Sequence, residues 1–237
     1  MLLAFVDTPQ RHDRITIFPV VAADEPRLSY LLLADALRRG LLTLEENGPG
    51  EAPCLIARNR STQPVLILGS ETVTGNRNPR SVFQTVLLGP SSVTRVPTAE
   101  DPVSKWSCAA IEAQFSDSLR VFPLLDNQVG ILAFMGRNLL GLDILGTPEL
   151  YSPLHRRLIT GHLISALTSG EKGELESPAE EAEMQALARA LESAQRETAP
   201  CPGHGEYTTI HGELAGGELR HNGHLVHLAV CPNGSAA

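Results

Sequence analysis

The chain has 237 residues, and its 42% hydrophobic and 19% charged residues allow a sizeable core and exclude disorder of the whole chain. With 19 basic and 27 acidic residues the formal net charge is −8. That balance disfavours non-specific nucleic-acid binding, because neutralising phosphates needs a surplus of Lys and Arg, although a local arginine pocket for a small anion stays compatible with it. No apolar run reaches the roughly eighteen residues of a membrane span, and the N-terminal residues do not resemble a secretory signal. The four cysteines are widely spaced, so we expect a reduced, cytoplasmic protein without structural disulfides.

The first hundred residues predict mainly short strands. Alternating or β-branched apolar residues mark them at residues 15–19, 41–45, 54–58, 65–68 and 81–88. An apolar, helix-prone segment from Tyr30 to Arg39 predicts a helix that ends at Gly40. The turn signal at residues 89–91 predicts that residues 92–96 return as a hairpin partner of residues 81–88.

The middle of the chain combines helix and strand signals. Asp101-Pro102 is typical of a helix start, and it is followed by an apolar stripe at Cys108, Ile111, Phe115 and Leu119. Residues 129–134 and 139–145 predict two strands around a turn at residues 136–138. Ser152-Pro153 predicts a helix to about Thr168, and Ser177-Pro178 with Glu180 predicts a capping box before a last helix.

The clearest element is a C-terminal hairpin at Asn222-Gly223. Pairing outward from this turn sets His221 opposite His224, Arg220 opposite Leu225, and Glu218 opposite His227. Because strands and helices are grouped rather than alternating, we predict an α+β fold with antiparallel or mixed sheets, about four helices and this hairpin. We expect one domain over residues 1–237, with flexible links at 170–176 and 198–205.

The segment from Gly69 to Arg80 is the first candidate site. A carboxylate (Glu71), an amide (Asn78) and two guanidinium groups (Arg77 and Arg80) follow an apolar strand within a glycine-containing loop. Glu71 suits an acid/base group or a metal ligand, and the arginines suit a bidentate grip on an anion. The alternative is an exposed polar loop with solvated charges. No P-loop or dinucleotide-binding fingerprint is present.

The histidine-rich tail is the second candidate. Cys201, His204, His221 and His224 form a permissible zinc set, but their spacing matches no standard zinc finger and two of them flank a turn. We therefore predict no structural zinc. His227 is predicted to lie beside Glu218, a pairing that would fix its tautomer, although a half-buried strand histidine is the alternative.

Three further positions carry weaker signals. Trp106, beside Lys105, lies off the apolar stripe of its predicted helix, so it lines a cleft or packs on a second element. His155 and His162 are seven residues apart around Leu158 and Ile159, a spacing that favours a packing face over a metal site.

The order of several short motifs resembles a bacterial family named for its association with ADP-ribosylglycohydrolases and rhodanese-phosphatase domains. The resemblance runs from about residue 15 to residue 230. It rests on residues 15–20, 30–37, 57–59 and 64–69, the loop that contains Glu71, Val96-Pro97, Lys105-Trp106, Gly130, Gly141-Leu-Asp143 and residues 223–228. The family loop resembles Gly-Glu-Glu-Leu-Val-Gly followed by Gln-Asn-Arg, whereas this chain has Ser70 at one glutamate and Pro79 between Asn78 and Arg80.

The resemblance implies, by gene association alone, a link to ADP-ribose or nucleotide metabolism. We therefore expect a domain that acts on a nucleotide- or ADP-ribose-like ligand through Glu71 and His227, with Asn78, Arg80, Trp106, Lys105 and Arg77 as ligand contacts. The alternative is a non-catalytic ligand-binding or protein-interaction module that accompanies a partner enzyme. No metal and no particular cofactor is predicted, no nucleic-acid or membrane partner is expected, and a homo-oligomer is a further alternative.

Overall fold

The structure is a computed structural model that describes residues 4–23, 29–47, 53–69, 71–74, 79–100, 116–168 and 178–234. Its largest unit is a nine-stranded antiparallel sheet in which strands from both ends of the chain are interleaved. In spatial order its strands are β1 (Ala4–Val6), β3 (Ile15–Ala22), β12 (Gln128–Met135), β13 (Asn138–Leu145), β17 (His224–Pro232), β16 (Leu214–His221), β15 (Glu206–His211) and β14 (Gln195–Pro200), with β2 (Gln10–His12) also paired to β3.

Two smaller sheets are formed by the first hundred residues. One has the order β10 (Val86–Leu88), β7 (Val65–Ile67) and β4 (Leu31–Leu32), and its β4–β7 pair is parallel. The other has the order β5 (Leu42–Glu46), β6 (Cys54–Asn59), β11 (Ser92–Glu100), β9 (Pro79–Val82) and β8 (Thr72–Thr74). The α+β class with antiparallel and mixed sheets and a C-terminal hairpin is therefore confirmed.

The helices lie between these strands in the chain. They are α1 (Leu33–Arg38), α2 (Ser116–Val121), α3 (Pro148–Tyr151), a 3-10 turn (Ser152–Leu154), α4 (His155–Thr168) and α5 (Glu181–Ser193). Within the described part of the chain, no helix is long and apolar enough to cross a membrane.

The large sheet is buried on both faces, because successive residues of its central strands enter two different cores. Ile17, Ile131 and Ala133 pack with the smaller sheets and with α4, whereas Phe18 and Leu132 pack on the opposite face with α5. This two-sided burial explains why β12 is apolar along its whole length rather than alternating.

Several predicted boundaries differ from the structure. Residues 81–88 divide into β9 and β10, and Ser92–Pro97 pair with β6 rather than with residues 81–88. Residues 198–200 belong to β14 instead of a link. The pairing of residues 92–97 with β6 is a tertiary contact that the local turn signal does not encode, whereas residues 198–200 form a hairpin with the next strand, β15.

The starts of the last two helices also differ from their predicted positions. The helix expected from Ser152 is divided into the 3-10 turn and α4, which begins at His155. The separate short helix α3 precedes them at Pro148, where the side chain of Thr147 accepts a hydrogen bond from the Leu150 amide (3.3 Å). The last helix has Glu180 as its N-cap, in a capping box in which the Glu180 side chain accepts from the Glu183 amide and the Glu183 side chain accepts from the Glu180 amide. This capping box lies three residues after the one predicted at Ser177. Ser177 itself and the predicted link at 170–176 lie outside the described residues.

Candidate functional site

Glu71 is a nearly buried carboxylate whose partner reaches the surface. It follows β7, and its Oε2 accepts a hydrogen bond from the Leu68 amide at 2.9 Å. Its Oε1 forms an ion pair with Arg157 Nη1 of α4 at 2.5 Å. Glu71 is 6% exposed, whereas the Arg157 side chain is 46% exposed. A solute could therefore reach the guanidinium more easily than the carboxylate that it neutralises.

Thr85 connects this strand end to the large sheet. The Gly69 amide donates to Thr85 Oγ1 at 2.9 Å, so the consecutive amides of Leu68 and Gly69 bind the two polar side chains Glu71 and Thr85. Thr85 Oγ1 also lies 2.8 Å from His227 Nδ1. The Thr85 oxygen has a second lone pair besides the one that accepts the amide proton, so either Thr85 or His227 can donate in this hydrogen bond.

Asp143 on β13 lies between two imidazoles. Its Oδ2 is 2.8 Å from His162 Nε2 of α4, and its Oδ1 is 3.6 Å from His227 Nε2. Asp143 pairs with Ala229, so His227 is its diagonal neighbour on the same face of the sheet. His227 Nε2 is buried and has no hydrogen-bond partner among the described residues, because its distance of 3.6 Å from Asp143 Oδ1 is too long for a hydrogen bond.

The pKa of Asp143 reflects these neighbours. Burial alone would raise the pKa of this carboxyl, but the hydrogen bond from His162 and the contact with His227 outweigh it and hold the pKa well below its usual range. Asp143 is therefore ionised throughout the physiological pH range.

Gly141 makes room for this arrangement. A Cβ at Gly141 would lie 2.8 Å from His162 Cε1 and 3.1 Å from the Val230 carbonyl oxygen. The imidazole of His162 thus lies directly over the bare backbone of β13, two residues from the carboxylate that it contacts. This contact gives a physical reason for the glycine and aspartate of the Gly141-Leu-Asp143 motif.

We name this continuous set of contacts the polar chain: Arg157, Glu71, Thr85, His227, Asp143 and His162, with the amides of Leu68 and Gly69 between Glu71 and Thr85. It starts and ends on α4, because Arg157 and His162 belong to the same helix. It crosses the contact between the large sheet and the β7–β10 sheet. Among the predicted site residues, the structure places Glu71 and His227 in this one chain.

The other predicted site residues are less completely placed. Arg80 lies on β9, opposite Val73, and its buried Nε has no hydrogen-bond partner among the described residues. Arg77, Asn78, Lys105 and Trp106 lie outside the described residues, as do Cys108, Ile111 and Phe115 of the predicted apolar stripe.

The predicted pairing of Glu218 with His227 is wrong. The turn itself forms as predicted, with His221 opposite His224 and Arg220 opposite Leu225. A bulge then leaves Val226 without an opposite residue, so Leu219 faces His227 and Glu218 faces Leu228. Glu218 instead forms ion pairs with Arg220 and Arg196, and the carboxylate beside His227 is Asp143.

Sequence reasoning missed four members of the polar chain in this role. Thr85 and Arg157 carried no signal that distinguished them from ordinary strand and helix residues. His162 was assigned to a packing face, and its helix does pack on the sheet, with Ile159 fully buried. Asp143 gave the one usable signal, because a carboxylate within an otherwise apolar strand needs a partner when it is buried.

The histidine-rich tail forms a separate cluster. The rings of His204 and His221 lie 5.7 Å apart, and the Tyr30 hydroxyl is 3.1 Å from His221 Nδ1. His204 and His221 border a surface cavity of about 580 Å³. Cys201 points away into the core, where its thiol contacts the Thr85 carbonyl oxygen at 3.7 Å. No group of three or more His, Cys, Asp or Glu side chains within the described ranges is placed to hold a metal ion.

The protein is thus of the α+β class, with three sheets in its described part. The polar chain of carboxylates and histidines lies where two of these sheets meet. The chain belongs to the family of the ARG and Rhodanese-Phosphatase-superfamily-associated Protein domain, whose model matches residues 5–99 and 104–231. Neither a curated protein nor a solved structure matches it. The resemblance found from the short sequence motifs is thereby confirmed over nearly the whole chain.

Proposed function

We propose that this domain binds a small anionic molecule of the nucleotide or ADP-ribose type beside Glu71 and Arg157 and acts on it as an enzyme. One observation carries the proposal: a nearly buried carboxylate is held by a backbone amide on one oxygen and by a half-exposed arginine on the other. A ligand phosphate would compete for the Arg157 guanidinium, which suits bidentate binding of phosphate. That exchange would leave Oε1 of Glu71 available to accept or donate a proton.

Arg80 supports the same proposal. Its buried Nε has no hydrogen-bond partner among the described residues, and a buried donor without a partner is costly unless a ligand satisfies it. In this proposal Arg80 and Arg77 grip the anion, Asn78 and Lys105 supply further polar contacts, and Trp106 stacks on the base or ring.

His227 acts on Glu71 only through other groups in this proposal. It is 4% exposed, and its two ring nitrogens face Thr85 and Asp143. Its role is therefore to orient Thr85, and through Thr85 the Gly69 amide and the strand end that carries Glu71. The family name associates the domain with ARG proteins, which is the reason for including ADP-ribose among the ligands.

The test compares the unmodified protein with Glu71→Gln. Calorimetry would measure the binding of ADP-ribose, AMP and ribose 5-phosphate, and chromatography would follow conversion of each compound. We expect binding by both proteins and conversion only by the unmodified one, because the amide keeps the shape of Glu71 but cannot exchange a proton. Glu45→Gln is the matched control, since it breaks the exposed Glu45–Arg58 pair (3.7 Å) in another part of the fold. Equal conversion by Glu71→Gln, or no binding of any of the three compounds, would contradict the proposal.

A second candidate is a non-catalytic module that contacts a partner enzyme. Phe83 is 75% exposed and Val93 is 60% exposed, and in this second proposal a partner enzyme covers these two apolar side chains. Binding of one of the three compounds without conversion by the unmodified protein would favour this module over the enzyme.

A further inference from the structure

A second cavity, of about 490 Å³, lies apart from the polar chain. It is bordered by the end of α2, by the segment that follows α2, and by the start of the 3-10 turn and α4. Its lining residues are Leu119, Arg120, Phe122, Pro123, Leu124, Ser152, His155 and Arg156. Its volume falls within the range of about 300–1,000 Å³ that is usual for small-molecule sites.

The charge of this cavity differs from that of the whole chain. Two arginines, Arg120 and Arg156, line it, and none of its eight described lining residues is acidic, although the chain carries a net charge of −8. The cavity of the histidine-rich tail, by contrast, combines Arg220 with Glu206. Guanidinium groups on the wall of a cavity present paired N–H donors, which suit the oxygen atoms of an anion.

The remaining lining is largely apolar. Phe122 is 1% exposed, Leu119 is 8% exposed, and Leu124 is 42% exposed at the rim. Few polar groups on an apolar wall are typical of a site that recognises an organic molecule by its body and orients it by its head group.

Hydrogen bonds inside the protein hold the wall of the cavity in place. His155 Nε2 lies 2.9 Å from the Phe122 carbonyl oxygen, and His155 Nδ1 lies 2.8 Å from the Tyr151 hydroxyl, which Gln128 Nε2 contacts at 3.0 Å. Burial lowers the pKa of His155, the Phe122 carbonyl raises it in part, and the charge of Arg156 lowers it again. His155 is thus a neutral, fixed part of the wall, and the guanidinium groups supply the positive charge.

From this geometry we propose a ligand site between α2 and α4 for an organic anion, in which Arg120 and Arg156 bind a carboxylate or phosphate head group and Phe122, Leu119 and Leu124 contact an apolar body. Guanidinium groups suit either head group, because each presents paired oxygen acceptors. The site is distinct from the proposed catalytic one, since Arg156 lines the cavity whereas its neighbour Arg157 binds Glu71.

The test uses three naphthyl probes of matched shape, 2-naphthoate, 2-naphthyl phosphate and uncharged 2-naphthamide, and inorganic phosphate as a head group without an apolar body. Titrations followed by protein NMR would give each affinity. We expect one or both naphthyl anions to bind at least tenfold more tightly than naphthamide and inorganic phosphate. Whichever of the two naphthyl anions has the higher affinity then identifies the preferred head group. Equal affinity for naphthamide, or no binding of either naphthyl anion, would overturn the proposal.

Three variants locate the binding. Arg156→Gln and Arg120→Gln should each weaken the better anion at least fivefold, whereas Arg189→Gln, an exposed arginine of α5, should leave it unchanged. Glu71→Gln should also leave it unchanged, which separates this site from the proposed catalytic one. Thermal unfolding of each variant would verify that it is folded. Full binding by a folded Arg120→Gln/Arg156→Gln double variant would place the anion elsewhere and refute the proposal.

Discussion

Asp143 offers the sharpest test of the polar chain, because two imidazoles share its carboxylate. Asp143→Asn keeps the size of the side chain and removes its charge. The amide presents its oxygen to only one of the two rings, His162 at 2.8 Å or His227 at 3.6 Å, and turns its NH₂ group towards the other. We therefore expect a marked loss of stability in a variant that still folds.

The magnitude follows from burial. A buried hydrogen bond to a charged group typically contributes about 1.5–3 kcal/mol, whereas exposed ion pairs contribute about 1 kcal/mol or less. The side chains of His162, Asp143 and His227 are 12%, 16% and 5% exposed. Because this exposure is small, we expect a value near the upper limit of that range, about 3 kcal/mol. In a domain of this size that corresponds to a fall in Tm of about 6–12 °C.

The pH dependence has a definite sign. Asp143 has a lower pKa in the folded state than in the unfolded chain, so its contribution to the free energy of unfolding is complete above the unfolded value of about 4. It is lost as the pH falls through the folded-state pKa. The stability difference between the unmodified protein and Asp143→Asn should therefore be largest above about pH 5 and shrink towards pH 3.

Urea unfolding of both proteins at several pH values would measure this difference. Asp126→Asn, which changes an exposed loop aspartate, is the matched control and should alter stability by less than about 0.5 kcal/mol. A loss below about 1 kcal/mol for Asp143→Asn, or a difference that grows below pH 4, would refute the reasoning about the shared carboxylate.

Five further outcomes are expected. Gly161→Ala should stabilise the protein by about 1 kcal/mol, because a Cβ there meets nothing within 4 Å and alanine favours a helix. Gly141→Ala should lower Tm, because its Cβ would press on the His162 ring. A fall in Tm for Gly161→Ala would contradict the first expectation. Thr85→Val should cost about 1–3 kcal/mol in urea unfolding, since it deprives His227 Nδ1 of its partner, and a neutral effect would remove Thr85 from the polar chain. Arg80→Lys should weaken calorimetric binding of an anionic ligand by about 1–3 kcal/mol with little change in Tm, and lost stability with intact binding would make Arg80 a fold residue. Elemental analysis of purified, untagged protein should find no stoichiometric zinc.

Local signals predicted the elements of this fold better than their pairing. The Asn222-Gly223 turn has positive φ at both residues, as its sequence requires, and the strands on either side begin where expected. The bulge at Val226 has no comparable signature in the sequence. One extra residue was enough to exchange the predicted neighbour of His227 for a different one.

The candidate site was predicted only in part for a related reason. Glu71 was recognisable because a carboxylate follows an apolar strand directly. Its partner Arg157 is one of many arginines in the chain, and only the packing of α4 against the sheets brings the two together. Asp143 and His162 meet in the same way, through a tertiary contact that no periodicity encodes.

The interleaved order of the nine-stranded sheet has a kinetic consequence. β3 pairs with β12 although residues 23–127 lie between them, and β13 pairs with β17 across residues 146–223. Closing such long loops costs entropy before the new contacts compensate for it, which slows folding. His227 lies in the last strand, so during synthesis its contacts with Thr85 and Asp143 can form only after the C-terminal residues have been made. Refolding should therefore restore the sheets near β5 and β6, whose contacts are local, before the environment of His227 becomes native.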